Sequence, residues 1–138
     1  MNYTQAEVDA HNAKVAAGHK APTVEPKPAV ADLTLKPCTD EAKLNKTERA
    51  YLAYLRRLNP PYIGIQNITL KLADDCRLTM DFSYINANGR MTFVDTKGGF
   101  WREDAKIKVK VAARIYRWAD FIVAHKEGVI WREELIKP

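Results

Sequence analysis

Hydrophobic and polar positions alternate with two different periods along this chain. Over Thr39–Leu58 the apolar residues Leu44, Tyr51, Leu52, Leu55 and Leu58 recur at helical spacing, which predicts a helix with one apolar stripe. Ile63, Ile65, Ile68, Leu70 and Leu72 then predict a strand across Tyr62–Ala73. Asp74-Asp75 predicts a turn, and Arg77–Ile85 alternates as a second strand. Asn88-Gly89 is a strong hairpin signal, because tight two-residue turns need positive φ at their central positions. It leads into a third strand, Met91–Lys97, which Gly98-Gly99 ends. Glu103–Trp118 is predicted as a long amphipathic helix, with Ile107, Val111, Ile115 and Trp118 on one stripe and Lys106, Lys110, Arg114 and Arg117 on another. Phe121–His125 predicts a fourth strand, Glu127-Gly128 a turn and Val129–Glu134 a fifth strand. The order α-β-β-β-α-β(-β) is that of an α/β domain with a mixed central sheet flanked by helices.

The N-terminal stretch reads differently. Residues 4–17 suggest a short polar helix capped by Thr4 and ended by Gly18. Four prolines (Pro22, Pro26, Pro28, Pro37) follow between His19 and Cys38, the composition of an extended linker. The expected organisation is an arm over residues 1–37 and a folded domain over residues 38–138. That is enough chain for one hydrophobic core. No apolar run approaches the roughly 18–20 residues of a membrane span. The polar, acid-bearing N-terminus reads as neither a signal nor a transit peptide, so the cytoplasm is the expected location. Cys38 and Cys76, with His11, His19 and His125, make no zinc-ligand spacing and read as incidental reduced thiols.

Charge sharpens the picture. Between Lys97 and Trp118 seven basic residues (Lys97, Arg102, Lys106, Lys108, Lys110, Arg114, Arg117) face two acids, Glu103 and Asp104, which accounts for the whole net charge of +5. A positive field confined to one segment points to a polyanionic partner, nucleic acid first, although a solvated helix face would look the same.

Three acids and a lysine carry the candidate chemistry. Asp95 and Lys97 are i and i+2 on a strand and share a face, so a carboxylate able to bind a cation stands beside an ammonium able to stabilise developing negative charge. Asp81 lies between Met80 and Phe82 on a strand expected to be central, where an unpartnered carboxylate is costly. Glu48 falls four residues after Leu44, inside the apolar stripe of the first helix. A second role is open to it: Asn45-Lys46-Thr47-Glu48 has the form of a capping box.

A helix glutamate, a strand aspartate, a hairpin, acid-x-lysine and a basic helix, in that order, resemble the PD-(D/E)xK nuclease superfamily. From Leu44 to about Glu134 the chain resembles its small phage- and prophage-encoded endonuclease-like members, through NKTERAYLAYL, ITLKLADDCRLTMDF, GRMTFVDTKGGFWREDAKIKVKVAARIY and FIVAHKEGVIWREE. The resemblance implies a restriction-endonuclease-like core and a Mg²⁺- or Mn²⁺-dependent DNA endonuclease. Asp81 and Asp95 would be metal ligands, Glu48 a ligand through water and Thr96 a ligand through its carbonyl. Lys97 would orient or activate the attacking water, and Gln66 resembles an accessory glutamine on the preceding strand. Lys106, Lys108, Lys110, Arg114 and Arg117 are expected to meet DNA.

This sequence departs from the pattern at two places. Met80 replaces the usual proline, and Asp95 is a shorter acid than the common glutamate. By analogy the implied job is phage DNA processing on branched DNA, as in Holliday-junction resolvases, or cleavage of duplex DNA. Such resolvases pair as homodimers to make two symmetric cuts. The alternative is a DNA-binding module of the same fold without turnover.

Overall fold

The computed structural model describes residues 33–99 and 101–138. The expected helix over residues 4–17 and most of the proline-rich stretch lie outside the described residues. Leu33–Leu35, at the end of that stretch, forms β1. The elements that follow are α1 (Lys46–Leu58), β2 (Ile63–Ile65), β3 (Ile68–Ala73), β4 (Cys76–Thr79), β5 (Phe82–Ile85), β6 (Met91–Lys97), α2 (Glu103–Ile115), β7 (Asp120–Glu127) and β8 (Ile130–Leu135). The α/β class expected from the pattern is present, with two helices and two sheets among the described residues.

The larger sheet runs β2-β5-β6-β7-β8 and is antiparallel except for the parallel pair β6 and β7. The smaller one, β1-β3-β4, is antiparallel. Both grow from one bent hairpin. Its two limbs turn at Asp74-Asp75, where Asp75 takes φ 58°. Each expected long strand is broken in the middle. The run Tyr62–Ala73 parts at Gln66, whose φ is 47°, and the run Arg77–Ile85 parts at Met80-Asp81. The breaks face each other, and Gln66 N–H donates to Asp81 O at 2.9 Å across the bend. Beyond it β3 and β4 leave the large sheet and join β1.

The first helix starts later than the periodicity suggested. Residues 41–43 make a short 3-10 turn, Leu44 is extended, and α1 begins after Asn45. The Asn45 side chain accepts from Glu48 N at 2.8 Å, and Glu48 Oε2 accepts from Asn45 N at 2.9 Å. This reciprocal capping box, typically worth about 1 kcal/mol, fixes the start. Tyr51, Leu52 and Leu55 then pack with Leu44 on Ile65, Phe82, Tyr84, Val94 and Ala124. The buried Tyr51 hydroxyl donates to Glu133 Oε1 at 2.8 Å. Leu58, expected on the inward stripe, is exposed at the end of the helix.

On β6 the neighbour of Val94 is Phe93, which alternation sends to the other side. There Phe93 stacks on Phe121 and meets Trp118, just beyond α2. The inward face of α2 corrects the sequence expectation. Val109, Ala112, Ala113 and Tyr116 are buried, whereas Ile107, Val111, Ile115 and Trp118 are exposed. The buried set is also spaced i, i+3, i+4, i+7, but two of its members are alanines. Their small side chains let a helix pack closely while adding little to a hydrophobic pattern. The helix ends at Ile115, three residues before the predicted Trp118.

Gly64 on β2 is held by crowding. A Cβ there would run into Tyr62 OH, Asn67 Oδ1 and Ser83 Oγ. These groups form a small network in which Asn67 Nδ2 donates to Tyr62 OH at 2.7 Å. Gly64→Ala is therefore expected to lose about 1–3 kcal/mol in urea unfolding, the usual cost of overpacking. A variant as stable as the wild type would show that this network yields freely.

Candidate active site

The β5–β6 hairpin builds the centre of the site. Gly89 adopts φ 77° in its turn, and Asn86 Oδ1 accepts from Asn88 N and Arg90 N. This closure sets the register Phe82 opposite Val94. One step further along, Asp81 comes opposite Asp95. Asp81 Oδ2 accepts from Thr96 N at 2.8 Å and from Thr96 Oγ1 at 2.9 Å. Lys97 Nζ lies 3.1 Å from Asp95 Oδ2, as the shared strand face requires.

The Asp95 carboxyl is largely buried, with 15% of its side chain exposed. Burial, first of all, pushes its pKa up to about 7, and the Asp81 charge and a hydrogen bond with Asp81 add to this. Lys97 opposes the rise without cancelling it. The two aspartates thus act on each other across one strand pair, with a single ammonium beside them.

Glu48 and Gln66 close the site from the helix side. Gln66 Nε2 donates to Glu48 Oε1 at 3.4 Å, a weak hydrogen bond, while Glu48 Oε2 remains in the capping box. Of the two roles that the sequence allowed for Glu48, the cap is the one observed, and it brings the carboxylate to Gln66. The end of β6 lies close to the start of α1, because a Cβ at Gly98 would sit 2.9 Å from Thr47 Oγ1. Glu48, Gln66, Asp81, Asp95, Thr96 and Lys97 are therefore linked in one contiguous chain of contacts. For Thr96, the contacts shown are its N–H and hydroxyl on Asp81.

Among the described residues no three carboxylate, imidazole or thiol groups converge tightly enough to hold a metal ion by themselves. The donor chemistry nevertheless suits a divalent cation. Two carboxylates press on each other in a poorly hydrated spot, and an oxygen-loving cation there would relieve their repulsion. Asp81 and Asp95 are the residues that would hold it.

The basic residues divide. Lys106, Lys110 and Arg114 fall on one side of the α2 wheel at about 100° per residue, Lys108 falls on the far side, and Arg117 lies beyond the end of the helix. Lys106 is held by Glu103 at 3.2 Å and lies 5.4 Å from the centroid of the Trp101 ring. Arg117 donates from Nε to Arg114 O and lines, with Arg90 and Asp120, a separate cavity of about 210 Å³. Between them, the exposed Ile107, Val111 and Ile115 make the outer face of α2 more apolar than the charge count suggested.

Sequence reasoning passed over four residues beside the site. Trp101, His125, Arg132 and Glu134 line a cavity of about 490 Å³ with Lys106 and Lys110. His125 was weighed only as a zinc ligand. Its position depends on the parallel pairing of Lys97 with His125, which no local pattern announces.

Comparison with protein-family models, with curated proteins and with solved structures gives no match for this chain. Among the described residues no helix is long and apolar enough to cross a membrane.

Proposed function

We propose that this chain is a Mg²⁺- or Mn²⁺-dependent DNA endonuclease of the PD-(D/E)xK type, with a restriction-endonuclease-like core. The observation that carries this reading is Asp81 hydrogen-bonded to Thr96 one step beyond the β5–β6 ladder, beside Asp95, with Lys97 on Asp95. A helix glutamate stands beside them, joined through Gln66. The helix–sheet layering and the single parallel strand pair are compatible with that core.

A divalent cation held by Asp81 and Asp95 would supply positive charge at the scissile phosphate. The remaining work falls to this chain's own side chains. Thr96 fixes the Asp81 carboxylate through two hydrogen bonds, so its orientation costs nothing when substrate arrives. Lys97 presents its ammonium on the same face, where it orients water or stabilises charge that develops on the phosphate. Glu48, held by Asn45 and Gln66, offers an acceptor for a water at the edge of the site. The basic side of α2 meets neighbouring phosphates, and branched DNA is the preferred substrate by analogy alone.

Purified protein should cut at least one of four-way junction, flap, linear duplex or single-stranded DNA in Mg²⁺ or Mn²⁺, and none in EDTA. A non-catalytic DNA-binding module is the second reading. It draws on the commitment of Glu48 to its cap and on the lack of a third converging ligand among the described residues. Tight, metal-independent binding of these DNAs without any cleavage would favour it over the nuclease.

A further inference from the structure

The cavity beside Lys97 has the composition of an anion site. Lys106, Lys110 and Arg132 face a single acid, Glu134. Two ring nitrogens on residues that line it make no hydrogen bond among the described residues. Trp101 is 7% exposed, yet its Nε1 has no hydrogen-bond acceptor. His125 Nε2 is likewise without a hydrogen bond, with Glu134 Oε2 at an ion-pair distance of 3.5 Å. Leaving a buried donor unsatisfied typically costs about 1–3 kcal/mol. The indole N–H, itself shielded from solvent, belongs to a ring that lines a basic cavity.

From these observations we infer that the cavity bounded by Trp101, Lys106, Lys110, His125, Arg132 and Glu134 is a binding site for a phosphate group. Part of the basic wall is already oriented. Lys106 is held by Glu103 and the Trp101 ring, and Arg132 Nε is held by Glu127 Oε1 at 2.6 Å. Basic side chains line the cavity from α2 and from β8. A tetrahedral oxyanion suits such a set better than a planar carboxylate, because it offers oxygens in several directions. The position adds meaning. His125 pairs with Lys97 across β6 and β7, so the cavity begins one strand away from the acid pair. A phosphate seated there would be one of the DNA's own, either an internal phosphodiester or a terminal phosphomonoester. That assignment to DNA rests on the nuclease reading; the affinity for phosphate does not.

The test follows the Trp101 indole N–H by NMR on ¹⁵N-labelled protein in EDTA, so that no cleavage intervenes. Its resonance is identified with Trp101→Phe. The probes are inorganic phosphate, a trinucleotide bearing a 5′-phosphate, the same trinucleotide without it, and acetate. The expected result is a saturable shift with phosphate-bearing probes and none with acetate. Lys110→Ala and Arg132→Ala should each weaken the effect about tenfold, the worth of one charge-assisted hydrogen bond. Equal response to both trinucleotides identifies an internal phosphodiester, and response to the phosphorylated one alone identifies a terminal phosphate. An indole resonance unmoved by every phosphate probe overturns the site, as does a shift of equal midpoint in both alanine variants. A clear phosphate response in a protein that cuts no DNA leaves this site standing and removes the nuclease. Cleavage by a protein whose indole ignores phosphate does the reverse.

Discussion

Asp95→Asn and Lys97→Ala should each reduce metal-dependent DNA cleavage by roughly 10²–10³-fold or more while leaving most of the DNA affinity in place. Both groups act on charge that grows toward the transition state, or on the cation that balances it, and little on ground-state grip. The structure gives the pair a common geometry, with Lys97 Nζ 3.1 Å from Asp95 Oδ2 on one strand face. Asp95→Asn is expected to bind DNA somewhat more tightly in EDTA, since it removes a carboxylate facing the phosphates. Glu48→Gln should be milder, because its amide oxygen can still accept from Gln66 or Asn45. Single-turnover cleavage, with binding measured separately, distinguishes these effects. Wild-type cleavage by Lys97→Ala would mean that the active site lies elsewhere.

The second large effect concerns stability. A carboxyl whose folded pKa is near 7, above its ordinary value, keeps its proton in the folded chain after the unfolded chain has lost it. Between about pH 4 and pH 7 the folded state therefore binds more protons, and this group's contribution to stability falls as pH rises. Below that window the contribution is fully present, and above it the loss is complete. The full loss is on the order of 4 kcal/mol. Asp95→Asn cannot ionise, so in EDTA it should be more stable than the wild type above pH 7. The gain is expected at roughly 1–3 kcal/mol, reduced because Lys97 loses its partner. Below pH 4 the advantage should vanish. Urea midpoints of both proteins across this range provide the measurement, and a difference that does not change with pH would contradict the burial of Asp95. Mg²⁺ should recover stability in the wild type at high pH, since a cation favours the ionised form.

What the sequence made legible follows the range of the interactions. The acid pair and Lys97 lie on a hairpin that Asn88-Gly89 and simple alternation define, and β6 has the predicted bounds, Met91–Lys97. The start of α1 was legible only as the capping-box alternative, because Leu44 continues the apolar stripe although it lies outside the helix. Nothing local marked the bend at Gln66, where a residue without special conformational freedom takes a positive φ. Nor could periodicity choose the inward face of α2. Ile107, Val111 and Ile115 outweigh Ala112 and Ala113 in hydropathy, while packing favours the smaller side chains. The Trp101–His125 cavity needs the parallel β6–β7 pairing and the first turns of α2 at once, which is tertiary information.

The hairpin also orders the events of folding. Asp81 and Asp95 are joined by one short turn, so little loop-closure entropy opposes their meeting. Glu48 and Gln66, by contrast, arrive only when α1 docks and the longer hairpin bends. If the hairpin forms early, carboxylate repulsion opposes that step, and refolding should accelerate as pH falls through the range in which Asp95 takes up its proton. The pair that serves the proposed chemistry would then be the first part of the site to form and the one that slows its formation most.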